Sequence, residues 1–180
     1  MTFETILGLV LLLAPARSVD PTETAPDYTT RLAVIAGSVL AEAELADSLL
    51  STRELVAATL VVWHQETRYS RHVHAGGRGR WGSDNGRATC LGQLHRTSLA
   101  PDWDTLAGLD VAATRRCAAA TMRVLSAHAR SCGRGAAAAW LSGYGTGQGC
   151  RVVALGRKRA RIYRLALSRL KALPGATSAR

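Results

Sequence analysis

The strongest constraint on the fold is a helix start signal followed by an apolar stripe. Residues 51–54 read Ser-Thr-Arg-Glu, a capping box in which Ser51 accepts from the Glu54 amide while the Glu54 side chain reaches back. In the following segment, four residues recur at three- or four-residue spacing, which places them on one face of a helix. Its members are Leu55, Thr59, Val62 and Glu66. The sequence therefore predicts a helix whose apolar stripe ends in a carboxylate.

The carboxylate of Glu66 has two interpretations. Beside apolar neighbours it would be poorly solvated, which raises the pKa of a carboxyl group and keeps it protonated as a general acid. Alternatively, Glu66 ends the helix and turns toward water without any chemical role. The spacing alone does not choose between these two readings.

Composition favours one folded, mainly helical domain. The chain has 180 residues, of which 47% are hydrophobic and 20% charged, and this excludes a disordered protein. Alanine and leucine dominate, and β-branched runs are few and short. The predicted fold class is therefore mainly α, with a small loop or hairpin region near residues 71–89.

The chain divides into four predicted segments. Residues 1–16 are apolar and end in Ala-Pro-Ala, which indicates either a signal peptide or a short core helix. Residues 17–30 contain two prolines and are predicted to be a linker. Residues 31–173 would form the folded domain, and residues 174–180 a flexible basic tail.

Further helices are predicted at residues 31–50, 110–130, 136–141 and 156–173. Cys90 is predicted to begin another helix. The last helix is expected to bury one apolar face, formed by Ile162, Leu165, Ala166 and Leu170.

Four cysteines lie in the second half of the chain, at positions 90, 117, 132 and 150. None forms a CxxC pair, so a zinc or redox motif is not indicated. Two disulfides in an exported protein fit this spacing, with three pairings open. Buried free thiols in a cytosolic protein are the alternative.

Positive charge is concentrated at the C-terminus. The formal net charge is +10, and residues 151–180 hold nine Lys or Arg and no acid. Such a segment suits a polyanion such as nucleic acid, an anionic membrane or a cell-wall polymer. A solvated helix face that keeps the protein soluble explains the same pattern.

Three segments, in this order, resemble the lytic transglycosylase and goose-type lysozyme group. They read Glu-Thr-Arg-Tyr at 66–69, Cys-Leu-Gly-Gln-Leu at 90–94, and Ala-Ala-Ala-Trp-Leu-Ser-Gly-Tyr-Gly-Thr-Gly at 137–147. The resemblance spans residues 52–163. Three positions depart from the family pattern: Cys90 replaces Gly, Gly92 replaces Met, and Gly145 replaces an Asn that the family places near substrate.

The resemblance implies a lysozyme-like fold and cleavage of peptidoglycan between N-acetylmuramic acid and N-acetylglucosamine. Glu66 would be the catalytic acid, and the substrate-binding residues would be Gln93, Tyr144, Thr67 and Asp84. Without the resemblance, the sequence pattern favours a structural role for each of three residues: Gln93 as a cap, Tyr144 as a core residue, and Asp84 as part of the turn at residues 83–86.

The acids after Glu66 favour a transglycosylase over a hydrolase. A transglycosylase needs one carboxylate, whereas a hydrolase needs a second to position water or attack the sugar. Asp104 and Asp110 sit at predicted helix starts, where capping explains them, and Asp102 lies in a turn. Only Asp84 could face the cleft.

No metal or cofactor is predicted. His72 and His74 form the only ligand-like pair, and no carboxylate or cysteine stands at a matching spacing. The predicted partners are peptidoglycan strands and, through the basic C-terminal helix, an anionic wall polymer; no specific nucleic acid is predicted. The expected location is the periplasm or cell envelope, or a phage particle. A lysozyme-type hydrolase and a non-catalytic basic binding module are the alternatives.

Overall fold

The structure is a computed structural model that describes residues 1–77, 87–97, 99–147 and 149–172. Helices and two very short strands make up the regular structure of these residues, so the predicted mainly α class is confirmed. The helices are α1 (Phe3–Leu13), α2 (Ala25–Leu45), α3 (Thr52–Thr67), α4 (Arg71–His74), α5 (Val111–Cys132), α6 (Ala137–Thr146) and α7 (Ala154–Ala172). The strands are β1 (Ala88–Thr89) and β2 (Leu94–His95), and residues Trp103–Thr105 form a 3₁₀ turn.

Helix α3 lies at the centre of the molecule. Its capping box is formed as predicted, with the Ser51 side chain on the Glu54 amide and the Glu54 side chain on the Ser51 amide. Every residue from Leu55 to Trp63 is buried, because α1, α2, α5 and α7 all pack against this helix. A helix that is apolar all round is buried on all sides. Glu66 therefore stands where the central helix leaves the core.

Helix α1 packs into the core of this chain. Ile6 and Val10 are fully buried and Leu9 nearly so, and α1 contacts α2, α3 and α7. Helix α1 thus contributes to the core of this structure, and cleavage of residues 1–16 as a signal peptide stays a prediction.

Helix α2 begins earlier than predicted. The expected linker covered residues 17–30, but the helix starts at Ala25 with Thr24 capping the Asp27 amide. Pro26 occupies the first turn, where its missing N–H costs nothing, so the proline that indicated a linker starts a helix instead. The helix also ends at Leu45, five residues before the predicted end.

A short hairpin occupies residues 88–95, where a helix start at Cys90 was predicted. Its strands pair antiparallel, Ala88 with His95 and Thr89 with Leu94. Cys90 and Gln93 have left-handed backbones (φ 54° and 48°), so a helix cannot begin there. Of the loop region predicted at 71–89, residues 71–74 are helical; residues 78–86, with Asp84 and Trp81, lie outside the described residues.

The four cysteines form two disulfides, which settles the pairing that the sequence left open. Cys90 pairs with Cys117, joining the hairpin to α5, and Cys132 pairs with Cys150, joining the end of α5 to the segment before α7. The predicted two-disulfide arrangement is confirmed.

Helices α6 and α7 pack against each other at Gly156. A Cβ built there would lie 1.8 Å from Ser142 Oγ and 2.4 Å from the Ala138 carbonyl oxygen, so only glycine fits. The predicted inner face of α7 is partly wrong, because Leu165 is 60% exposed. The buried positions are Gly156, Arg159, Ala160, Tyr163, Ala166 and Leu170. A charged residue thus occupies the inner stripe of α7.

Within the described ranges, no helix combines the length and apolar character needed to cross a lipid bilayer. The predicted tail at 174–180 falls outside those ranges.

Candidate active site

Glu66 lies in the last turn of α3, and its carboxylate pairs with an arginine from a distant part of the chain. Arg159 Nη2 donates to Glu66 Oε1 across 93 residues of sequence. The Glu66 side chain is 22% exposed, whereas the Arg159 side chain is 1% exposed. The carboxylate is therefore reachable from solvent on one side and faces a buried cation on the other.

Arg159 joins three helices at this point. Its Nη1 donates to the Leu141 carbonyl of α6 over 3.1 Å, and its guanidinium carbon lies 5.8 Å from the centre of the Tyr144 ring. Its Nε is buried without a hydrogen-bond partner. Arg159 thus fixes α7 to α6 and orients a single donor at Glu66.

Burial raises the pKa of Glu66 above its usual value. The charge of Arg159, its hydrogen bond and the charge of His95 oppose this rise without cancelling it. A carboxyl group in this setting holds its proton to higher pH than an exposed glutamate does. This property is the one that a general acid requires.

A chain of hydrogen bonds holds the hairpin turn beside α6. Tyr144 donates its hydroxyl to the Gly92 carbonyl over 2.7 Å. The Tyr144 oxygen accepts from Thr121, and Thr121 Oγ1 accepts from the Trp63 indole at 3.1 Å. Burial raises the pKa of Tyr144, so its hydroxyl stays protonated as a donor. The second and third family-like segments are therefore in direct contact.

Gly92, one of the three residues that depart from the family pattern, has no room for a side chain. A Cβ there would lie 2.5 Å from Thr121 Oγ1, 2.8 Å from the Tyr144 hydroxyl and 3.2 Å from Trp63 Nε1. The indole and the phenol occupy the space that a larger side chain would need. This local packing explains glycine at position 92.

An open cavity of about 450 Å³ lies beside Tyr144 and the hairpin. Its lining includes Gln93, His95, His128, Gly143 and Tyr144. Burial lowers the pKa of His128, so this imidazole is neutral at neutral pH and can both donate and accept. Glu66 itself does not line the cavity. Tyr144 connects Glu66 to it, because the Tyr144 side chain lines the cavity and its ring lies against Arg159, the partner of Glu66.

The predicted substrate-binding residues are placed as follows. Gln93 lines the cavity, and its side-chain amide donates to the Cys90 carbonyl at 3.1 Å. Tyr144 lines it too, with its hydroxyl directed at Gly92 rather than at Glu66. Thr67 donates to the Trp63 carbonyl one turn earlier, a bond internal to α3. Asp84 lies outside the described residues.

Two residues near Glu66 were missed by the sequence reasoning, Arg159 and His95. Arg159 had a detectable signal, because it is spaced four and seven residues from Tyr163 and Ala166 on the buried stripe of α7. A cation on such a stripe requires a partner inside the protein. His95 carried no comparable signal, since a two-residue strand has no readable periodicity.

The other acids after Glu66 within the described ranges have structural roles or lie in a turn. Asp110 caps α5 through the Ala113 amide at 2.8 Å, as predicted. Asp104 lies inside the 3₁₀ turn and pairs with Arg96 on the exposed surface, rather than capping a helix as predicted. Asp102 precedes that turn and makes no side-chain cap.

Across the described ranges, no group of three or more His, Cys, Asp or Glu is placed to hold a metal ion. His74, one of the predicted ligand-like pair, is fully buried and hydrogen-bonds Thr114 through Nε2 at 2.8 Å. Burial and the Arg31 charge lower its pKa to about 3, so it remains neutral.

Comparison with known proteins adds no relative to this picture. No protein-family model matches the sequence, and neither a curated protein nor a solved structure is significantly similar to the chain.

Proposed function

We propose that the protein cleaves peptidoglycan strands as a lytic transglycosylase, with Glu66 as its single acid and base and a lysozyme-like fold. One observation carries the proposal: three sequence segments that resemble that family converge in space. Glu66 pairs with Arg159, Arg159 lies against Tyr144, and Tyr144 bonds Gly92. Tyr144 lines an open cavity, together with Gln93 and His95 of the hairpin.

The reaction needs one carboxyl group that first gives and then takes a proton. Protonated Glu66 would donate to the oxygen that bridges the two sugars as that bond breaks with oxocarbenium character. The resulting carboxylate would then remove the proton from the C6 hydroxyl of the same sugar, whose oxygen closes a 1,6-anhydro ring. Glu66 ends the cycle protonated, and no water is consumed.

The environment of Glu66 suits both halves of this cycle. Burial favours the protonated acid before cleavage, and Arg159 stands ready to stabilise the carboxylate that cleavage leaves behind. Because Arg159 is itself nearly inaccessible, solvent screens this interaction weakly. We assign Arg159 the role of a positioning residue that acts through Glu66.

Export fits the same proposal. Two disulfides join the hairpin and the segment before α7 to α5, and disulfides persist in oxidising compartments such as the periplasm. Export would also bring the protein to its substrate. A phage particle that meets the cell wall from outside satisfies the same condition.

Binding of glycan without cleavage is the second candidate. The Arg159 hydrogen bond favours the charged form of Glu66, which cannot protonate the glycosidic oxygen. If this interaction keeps Glu66 ionised in the complex, the cavity would bind the strand and leave it intact.

The test compares three purified proteins on insoluble peptidoglycan: wild type, Glu66→Gln and Glu44→Gln. Glu44 is an exposed glutamate of α2, so its variant makes the same chemical change away from the site. Soluble products are analysed by mass. Anhydro products from wild type and Glu44→Gln, lost with Glu66→Gln, support the transglycosylase.

Other products have defined meanings. Reducing ends from wild type indicate hydrolysis instead. Strand binding without release by folded wild type would support the binding module and contradict cleavage. Cleavage that persists in Glu66→Gln would remove Glu66 from the mechanism.

A further inference from the structure

Helix α7 presents a continuous row of cations on the side opposite Arg159. We call this row the basic stripe; its members are Arg157, Lys158, Arg161, Arg164, Arg169 and Lys171, all exposed. At 1.5 Å per residue, the stripe is about 21 Å long. The helix therefore carries an extended positive edge rather than an isolated charged residue.

Acidic side chains of the described residues do not neutralise this edge. Two arginines elsewhere on the molecule pair with acids, Arg134 with Glu54 and Arg115 with Glu42. Across the part of the chain that the structure describes, no member of the basic stripe forms an ion pair. The sequence contains no acid after Asp110, so α7 itself cannot supply one.

The N-terminal part of the basic stripe opposes the rules of helix stability, whereas Arg169 and Lys171 in the last turn agree with the helix dipole. Arg157, Arg161 and Arg164 stand at four- and three-residue spacing, where like charges repel by a few tenths of a kcal/mol per pair. The first turn of α7 has no acid, and Arg157 and Lys158 lie near it, where the helix dipole favours anions. A bound polyanion would relieve both effects, and local rules tend to be broken at functional sites.

The form of α7 argues for a flexible anionic strand. The apolar residues Tyr163, Ala166 and Leu170 are buried against the protein, so the helix cannot lay an apolar face into a membrane. Helix α7 also has no Asn or Gln, the side chains that read adenine in DNA. Binding of a flexible anionic strand requires only a row of exposed cations on the helix.

We propose that the basic stripe binds a flexible phosphodiester polymer of the cell wall, an inference that rests on the proposed function. Four of its six cations are arginines, whose planar guanidinium groups bind phosphate oxygens in pairs. The opposite face of α7 delivers Arg159 to Glu66. A polymer on the basic stripe is therefore about one helix diameter, roughly 10 Å, from the candidate active site.

The experiment measures co-sedimentation with purified cell walls, using Glu66→Gln as the parent so that the walls stay intact. The stripe variant adds Arg157→Gln, Arg161→Gln and Arg164→Gln. The matched control instead adds Arg116→Gln, Arg123→Gln and Arg130→Gln, three exposed arginines of α5. Each protein is tested on native walls and on walls stripped of phosphodiester polymer, and thermal unfolding verifies that all variants are folded.

The expected result is salt-sensitive binding that depends on both polymer and stripe. Each engaged cation contributes about 0.7 to the logarithmic salt slope, so removing three should reduce that slope by about 2. The α5 control should bind native walls like the parent, and on stripped walls parent and stripe variant should bind equally, through the candidate active site alone. Cleavage of soluble glycan fragments by otherwise wild-type protein carrying the stripe substitutions should be unchanged, which separates this proposal from the proposed function.

Four results would overturn the proposal. They are equal binding by parent and stripe variant, equal losses in the stripe and α5 variants, undiminished binding to stripped walls, and stronger parent binding to duplex DNA or anionic lipid vesicles than to the wall polymer.

Discussion

Among the described residues, two glutamate–arginine pairs contain a buried arginine, and the same chemical groups behave differently in each. Arg31 donates to both oxygens of Glu23, from Nε at 2.7 Å and Nη2 at 2.8 Å, and Ser18 donates to the same carboxylate. Arg159 donates to Glu66 from Nη2 alone. Glu23 is 1% exposed and Glu66 is 22% exposed. In the first pair the carboxylate is buried and accepts three hydrogen bonds, whereas in the second it is partly exposed and accepts one from the arginine.

Hydrogen-bond donors and nearby positive charges together oppose the effect of burial on each pKa. Burial raises the pKa of both carboxyl groups. At Glu23 the hydrogen bonds from Arg31 and Ser18, with the charges of Arg31 and Arg71, outweigh burial, and the pKa is lowered. At Glu66 burial outweighs Arg159, and the pKa is raised. An arginine beside a buried glutamate therefore does not by itself make that glutamate a permanent anion.

Substitution of Arg31 should have the largest effect. Arg31→Met leaves the Glu23 carboxylate buried without its partner, and breaking such a pair costs about 3–5 kcal/mol. For a chain of this size we expect the melting temperature to fall by roughly 10 °C. Thermal unfolding measures it, with Arg96→Met as the control.

Arg96 forms an exposed pair with Asp104, with side chains 65% and 66% exposed. Its substitution should cost about 1 kcal/mol or less. Similar losses in both variants would show that burial does not distinguish these pairs.

Substitution of Arg159 should act mainly on activity. Arg159→Met removes two of the three influences that lower the pKa of Glu66. The alkaline limb of the pH–rate profile should therefore move to higher pH, because the acid keeps its proton longer. Loss of positioning should reduce kcat about tenfold, roughly 1.4 kcal/mol.

Arg159→Lys provides the control, since it retains the charge and loses the guanidinium geometry. In Arg159→Lys, the alkaline limb should return part of the way to its wild-type position, while kcat stays low. An alkaline limb that does not move in Arg159→Met would show that Arg159 has no influence on the ionisation of Glu66.

The two glutamates should have opposite, smaller effects on stability across pH. The lowered pKa of Glu23 means that its stabilisation is present above the ordinary value of 4.5 and is lost as the pH falls below it. The raised pKa of Glu66 means that stability is lost as the pH rises from 4.5 through its folded-state pKa. Each slope is at most about 1.4 kcal/mol per pH unit.

Urea unfolding at several pH values measures both slopes. Glu23→Gln should flatten the acid side of the profile, and Glu66→Gln the side above pH 4.5. Flattening on the same side by both substitutions would contradict the comparison between the two pairs.

The sequence predicted the elements whose signals are local. The capping box at Ser51 and the Asp110 cap both start helices where expected, because each lies within three residues of the amide that it binds. The start of α2 was missed because Pro26 has the same sequence appearance in a linker and in a first helical turn. Leu165 was placed on the wrong face because apolar residues nearly surround that part of α7.

The candidate site depends on contacts that local patterns do not encode. Glu66 was identified from its stripe, but the Arg159 partner is 93 residues away and the Gly92–Tyr144 bond spans 52. The disulfide pairing likewise followed only from the three-dimensional arrangement.

The glycine at position 156 makes the site sensitive to a residue that does not belong to it. Any side chain there would push α7 away from Ser142 and Ala138. Arg159, which donates to Glu66, lies only three residues further along the same helix and would move with it. Among homologues, glycine at 156 should therefore accompany the Glu66–Arg159 pair. Homologues with a larger residue at position 156 would have to lack the Arg159 cation beside Glu66 or supply a cation from another helix.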